Sequence, residues 1–262
     1  MKQAIKSVLA LPHLQPCPEV NCAFSTLVSQ VVASGDELPW DAPVVCAVQR
    51  RCAAAESALE LHWSAQVAVA ADPRATLDSF PYADNYQELA RRELALLAKS
   101  GLQLCRVSRA AVIGSGPLPL TAWWMHQLTG AHVTHIDMSA AAIDHATRLA
   151  QALNWFCDAV LADGRDSGLP ADTFDVIYVA GLAGQTLAEK QEIVDAVRPA
   201  LRRNGRLVLR SAHGARELLY PAFAAEAITG VRLLQEYHPT DEVINSVFVY
   251  ERSDEDNGAV LC

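Results

Sequence analysis

Apolar positions in the first hundred residues recur every three or four places, without the alternation of a strand. In VVCAVQRRCAAAESALELHWSAQVAVA, the residues Val48, Cys52, Ala55, Leu59 and Trp63 fall on one side of a helix. A second helix opens near NYQELARRELALLAKSG, with Gly101 as its stop. After about residue 106 the texture changes. Short apolar or β-branched runs (RAAVIG, AHVTHID, CDAVLAD, FDVIYVAG, GRLVLRS) alternate with helical stretches, the pattern of a parallel sheet covered by helices. The closing runs VRLLQEYHP and VINSVFVYER have no helix-length connection and predict an antiparallel pair at the sheet edge. The chain therefore reads as α/β, with a helical lobe over residues 1–105, a Rossmann-like domain over 106–252 and a flexible tail over 253–262.

That ending resembles the class I methyltransferase-type sheet, a likeness of fold and not of activity. Composition narrows the classes further. The 262 residues, 51% hydrophobic and 19% charged, can bury one substantial core and a smaller accessory one. A formal charge of -9 disfavours phosphate backbones and anionic lipid, so neither nucleic acid nor membrane is an expected partner. The early run SVLALPHL is broken by proline, and no stretch approaches the roughly 20 apolar residues of a membrane span; the expected address is the cytoplasm. Seven cysteines, an odd number without finger spacing, read as reduced thiols. The close pair Cys17 and Cys22 has no second pair, and His132, His135 and His145 share no spacing with other ligand types, so no metal is expected. The oligomeric state stays open, a homodimer included.

The stretch AAVIGSGPLPLTAWWMHQLTGAHVTHIDMS reads as strand, turn, helix and strand. Its turn holds Gly114, Ser115, Gly116, Pro117, Leu118 and Pro119. The glycines permit a sharp bend with no Cβ against a ligand, and Pro117 suits the first turn of a helix, where its missing N–H loses nothing. Asp137 ends the next strand, at the spacing where a carboxylate accepts both ribose hydroxyls. Asp163 ends the third strand, within reach of an adenine amino group, and Ala180, in VAGLAG, offers small bulk where the cofactor's amino-acid end would approach. With no third glycine for a pyrophosphate, S-adenosylmethionine is the expected cofactor, acting as co-substrate, in preference to NAD. Trp123 and Trp124 follow on the helix; adjacent positions cannot both face inward, so one is expected to pack and the other to cover an interface or the cleft.

The block GSGPLPLT resembles the nicotianamine synthase family, and AESALELHWS (55–64), FPYADNYQELARRE (80–93) and LRSAHGARELLYP (209–221) agree with it in order. The resemblance implies a methyltransferase-like fold that breaks a different bond of S-adenosylmethionine. Such enzymes move the 3-amino-3-carboxypropyl (aminobutyrate) group onto an amine and release methylthioadenosine. Plant members join three such units. Shorter bacterial relatives transfer one, usually onto histidine, for an opine dehydrogenase that condenses the product with an α-keto acid into a metallophore such as staphylopine or pseudopaline. The compact chain resembles the bacterial group, which makes histidine the expected acceptor and an opine dehydrogenase the expected recipient of the product. Alternatives are nicotianamine synthesis with an aminobutyrate acceptor, ordinary methyl transfer, and S-adenosylmethionine binding without turnover.

Glu56 and Glu60 lie four apart on one helical face beside the apolar stripe. By pattern alone they are either solvated surface glutamates or a base for an incoming ammonium. The family's catalytic glutamate maps onto Glu60, through its distance to Tyr86 in the NYxxL block, with Glu56 as second choice. Tyr86 is then placed against the transferring chain or the amine, and Tyr82 is a weaker candidate of the same kind. Glu93, two turns after Tyr86, faces the same side or the helix surface. Arg210 and Arg216 each suit an α-carboxylate, although Arg216 can equally tie its loop to the sheet. His213 is a polar contact or part of a tight turn, and Tyr220 is a family-matched candidate for the cleft wall.

Overall fold

The computed structural model describes residues 1–34 and 40–253. Among the described residues five helices come first: α1 (Lys2–Ala10), α2 (Pro18–Ala33), α3 (Ala42–Val69), α4 (Pro73–Asp78) and α5 (Ala83–Lys99). Strands then alternate with helices: β1 (Arg109–Ile113), α6 (Leu120–Thr129), β2 (His132–Asp137), α7 (Ala140–Ala152), β3 (Asp158–Leu161), β4 (Phe174–Val179), α8 (Leu187–Val197) and β5 (Leu201–Ser211). β6 (Val231–Tyr237) and β7 (Ser246–Arg252) close the chain. Most of the residues read as a tail, 254–262, lie outside the described residues.

The seven strands run in the order β3-β2-β1-β4-β5-β7-β6, parallel except that β7 pairs antiparallel with both β5 and β6. The order reverses direction at β1 and β4, which opens a crevice at the carboxyl ends of these strands, where open α/β sheets take ligands. β1 is buried on both faces, as its unbroken AAVI run requires. One sheet face, with Val112, Tyr178 and Val208, packs under α5 and α6 through Leu89, Leu97 and Met125. The other, with Ile113, Ile177 and Leu209, packs on α8 through Ile193, Val194 and Val197. A third core joins α1, α2 and α3 to a short turn, Gly214–Leu218, that follows β5.

α3 rises about 42 Å at about 1.5 Å per residue, long enough to run from the third core across α7. There the Ser64 hydroxyl donates to the His145 carbonyl at 3.2 Å. Its buried face carries Val48, Ala55 and Val67 but also the polar Glu60 and Ser64. α5 ends where Gly101 predicts: the N–H of Leu102 donates to Leu97 O at 2.9 Å and that of Gly101 to Ala98 O at 3.0 Å, a Schellman closure. Arg206 of β5 then caps the Ser100 carbonyl through Nη2 at 2.6 Å, fastening α5 to the sheet.

Two local expectations need correction. α6 begins at Leu120 with Pro119 as its N-cap, so Pro117 lies in a bend before the helix and not in its first turn. Both tryptophans are buried, Trp123 at 4% and Trp124 at 6% exposure. The rule for adjacent helical positions assumes one open side, and the first part of α6, residues 120–125, is buried all round: Trp123 meets Trp155 edge-on, and the Arg74 guanidinium lies 5.4 Å from both indole rings.

Candidate active site

β1 runs into the glycine turn, and β2 holds the turn in place. The N–H groups of Gly114 and Ser115 donate to Ile136 O at 2.9 and 3.1 Å. Gly116 donates its N–H to Asp137 Oδ2 at 2.9 Å, and Ser139 donates to Oδ1 at 2.9 Å. Asp137 is thus fixed by two backbone donors while still facing a cavity of about 490 Å3. Gly114, Ser115, Gly116, Pro117, Leu118, Asp163 and Ala180 line the same cavity. Pro119 does not; it turns into the start of α6.

α3 brings Glu56 and Glu60 over this cavity from above. Tyr86, from α5, directs its hydroxyl to Glu60 Oε1 at 3.2 Å and to Glu56 Oε1 at 3.3 Å. Tyr220 donates to Glu56 Oε2 at 2.5 Å. One phenolic proton on Tyr86 faces two carboxylates, so it serves one at a time. Burial raises the pKa of Glu60 well above the usual carboxylate range, and the neighbouring Glu56 charge pushes the same way. Glu56 is raised by burial too, with the hydrogen bonds from Tyr220 and Tyr86 opposing the rise. Burial, then the two glutamates, hold both phenols well above their ordinary range, so the tyrosines stay donors. Beside them Arg210 and Glu93 form a buried two-pronged pair, Nε to Oε1 at 2.7 Å and Nη2 to Oε2 at 3.0 Å. Such a cluster can accept a proton from a cationic amine and stabilise the cation until it does so.

The sequence profile of the family described as nicotianamine synthase protein matches residues 2–257. The chain belongs to the nicotianamine synthase family. It is 37% identical to nicotianamine synthase 9 of Hordeum vulgare over 91% of this chain and 74% of that one. Nicotianamine synthase 3 of Oryza sativa subsp. japonica is 36% identical over 91% and 73%. Among solved structures, MtNAS in complex with MTA and tNA superposes with a TM-score of 0.83 at 21% identity, covering 96% of both chains, a likeness of fold. Magnesium protoporphyrin IX methyltransferase from Synechocystis PCC 6803 reaches 0.50 at 16% identity over 64% of this chain and 80% of that one, so the methyltransferase likeness leaves about a third of this family member unmatched.

In this nicotianamine synthase family member the remaining candidates divide. Arg210 lines the larger cavity but commits Nε and Nη2 to Glu93. Asp163 also lines it, its carboxylate clasped by Arg165 through Nε at 3.0 Å and Nη2 at 2.6 Å, which lowers its pKa to about 2. Tyr82 lines a second cavity of about 280 Å3 between α2, α3 and α5. Arg216 lines neither cavity: Nε donates to Val243 O at 3.2 Å and Nη2 to Asp241 O at 2.5 Å, the loop-tying alternative. His213 is exposed and its ring lies against that of His238, 4.2 Å between centroids. His132 pairs with Asp158, and His135 is buried against Trp155, its pKa pulled down to about 4 by burial. Among the described residues no group of three or more His, Cys, Asp or Glu is arranged for a metal ion, and no helix is long and apolar enough to cross a membrane.

Sequence reasoning missed three contributors. Arg165 could have been found two residues after Asp163. Lys190 reaches from α8 to the carbonyls of Ala180 at 2.9 Å and Ala183, bracing the loop after β4. Asn245, in the loop before β7, lines both cavities and had no local signal at all.

Proposed function

We propose that this protein transfers the 3-amino-3-carboxypropyl group of S-adenosylmethionine to the α-amine of histidine and releases methylthioadenosine. The observation that carries the reading is the position of Glu56, Glu60, Tyr86 and Tyr220 on the wall common to two cavities. The larger contains the glycine turn and Asp137, suited to an adenosyl group; the smaller is predominantly apolar and suited to an acceptor. An amine entering from the smaller side meets a buried carboxylate pair between itself and the sulfonium.

The chemistry follows from charge and alignment. The acceptor arrives as an ammonium, which the anionic cluster attracts. Glu60, its basicity raised by burial, takes one proton and leaves the nitrogen lone pair free. That pair attacks the γ-carbon of the amino-acid arm, the C–S bond breaks, and sulfur departs with the bonding electrons as the neutral thioether of methylthioadenosine. Transfer of this arm instead of the methyl group requires only that the arm lie in line with the nitrogen. Phe24, Phe80 and Tyr82 give the smaller cavity an aromatic wall, and its described lining contains no arginine, lysine or histidine. An imidazole is compatible with such a wall; an acceptor bearing additional carboxylates is less so. The product keeps a primary amine, which an opine dehydrogenase condenses with an α-keto acid in metallophore assembly.

Nicotianamine synthesis is the second reading, favoured by the names of the plant relatives. Purified protein with S-adenosylmethionine, with and without histidine, separates the two by mass spectrometry. Methylthioadenosine and a histidine adduct support the proposal. Methylthioadenosine and nicotianamine without histidine favour the second reading, and adenosylhomocysteine overturns both.

A further inference from the structure

The residues lining both cavities are Glu56, Glu60, Tyr86, Tyr220 and Asn245. The first four satisfy one another: Tyr220 donates to Glu56, and Tyr86 to Glu56 or Glu60. Asn245 stands apart. Its carboxamide Nδ2 is buried and has no hydrogen-bond partner among the described residues. A buried N–H group left unpaired forfeits its hydration with nothing in return, so a donor held in this state at a cavity wall is matched to a ligand acceptor.

The position of this amide is built, not incidental. It lies beside Tyr220 and over Gly181, where a β-carbon on the glycine would come within 3.3 Å of both Asn245 Nδ2 and Tyr220 Cδ1. The loop carrying it is anchored by three side chains. Arg216 donates to the carbonyls of Val243 and Asp241. Arg92 of α5 holds the Asp241 carboxylate at 2.9 and 2.6 Å, and Asn85 donates to Glu242 O at 3.0 Å. Arg216 therefore affects the site through the loop it fixes.

We infer that Asn245 binds the α-carboxylate of the acceptor amino acid and so sets the acceptor's α-amine against Glu60. The inference rests on the transfer proposed above. An α-amine delivered to two glutamates brings its own carboxylate into the same negative neighbourhood, where it needs a donor. The larger cavity offers Arg210 for the carboxylate of the transferring arm, whereas the smaller has no cationic side chain in its described lining. A neutral amide meets the need without harming the base, because a second cation here would lower the basicity that Glu60 requires. The site is thereby selective for α-amino acids over simple amines.

The test compares histidine with histamine, which keeps the ring and a primary amine but lacks the carboxylate. Methylthioadenosine release is measured for the wild-type protein, Asn245→Ala and the near-isosteric Asn245→Asp; S-adenosylmethionine binding by calorimetry reports intact folding. The wild type is expected to prefer histidine strongly. In both variants the histidine-to-histamine ratio of kcat/KM should fall by about 10- to 100-fold, the range for one hydrogen bond to a charged group, mainly through KM for histidine. Asn245→Asp should lose more, since it sets a third carboxylate against the ligand. A wild-type ratio preserved in the variants overturns the role of Asn245 while leaving the transfer reaction standing. A wild-type protein that releases no methylthioadenosine with histidine overturns the transfer to histidine and this inference with it.

Discussion

A β-carbon built on Gly116 would lie 2.6 Å from Glu60 Oε2, so the glycine turn and the buried glutamate occupy positions that each require the other. The φ of +70° at Gly116 adds a second constraint, costly for any residue with a side chain. Gly116→Ala should therefore lose about 1–2 kcal/mol from the backbone alone and push Glu60 off its position. Turnover should drop by about 100-fold, the scale of an ångström-sized misplacement. Unchanged turnover in a folded Gly116→Ala protein would show that the contact between turn and glutamate is unimportant.

Glu60→Gln separates catalysis from binding. Turnover should fall about 100-fold or more if Glu60 is the base, while S-adenosylmethionine affinity changes little. Its effect on stability has a definite sign. With the folded-state pKa raised, the native protein holds a proton that the unfolded chain releases above about pH 4.3. Stability from this group is greatest below that pH and is lost as pH rises through the folded value. Glutamine has no such loss, so the melting temperature of Glu60→Gln relative to wild type should climb from about pH 5 up to the folded value and level off above it, where Glu60 is ionised and able to act as the base. Parallel melting curves across that range would disprove the raised pKa.

The two glutamates also mark the limit of what the sequence discloses. Spacing of four puts Glu56 and Glu60 on one side of α3, but a solvated i,i+4 pair has the same pattern. Their burial depends on Tyr86, from another helix, and on Tyr220, more than 160 residues along the chain from Glu56. The β-strand runs, the glycine turn and Asp137 were legible because each is a local property: β-branched density, the absence of a Cβ, the end of a strand. Arg216 was legible only as two alternatives, since the loop it ties follows β6, and Asn245 was not legible at all, since its meaning comes from a cavity formed by several elements. The resemblance to known enzymes supplied Glu60 and Tyr86 where local pattern left two readings.

Glu93 and Arg210 are buried at 1% and 6% exposure, and each is the other's charge partner. Glu93→Gln leaves a buried guanidinium half-satisfied and should destabilise the fold by about 3–5 kcal/mol in urea unfolding. A paired replacement by apolar residues of similar volume, Glu93→Met with Arg210→Met, should recover most of that stability. It should not recover turnover, because Arg210 also lines the larger cavity. Recovery of both would reduce the pair to a structural strut.

Lys190 supplies the last prediction. Its ammonium donates to Ala180 O at 2.9 Å, to Ala183 O and, at 3.4 Å, to Gly181 O, under the loop that closes the cavity beside the glycine turn. Burial lowers its pKa to about 7. The neutral amine has only two N–H donors for three carbonyls, so deprotonation leaves the loop partly unbraced. S-adenosylmethionine affinity should then weaken as pH rises from 6 to 8.5, whereas Lys190→Met should bind about 10-fold more weakly at pH 6, the cost of an unpaired carbonyl, and show a flatter profile. The stability linkage runs the other way. Between pH 7 and about 10.5 the unfolded lysine carries a proton that the native one lacks, so this group's contribution to stability rises with pH across the window in which the affinity falls. Calorimetric titrations and thermal melts over the same pH series therefore test one side chain by two opposite slopes, and an affinity independent of pH in the wild type would remove Lys190 from control of the loop.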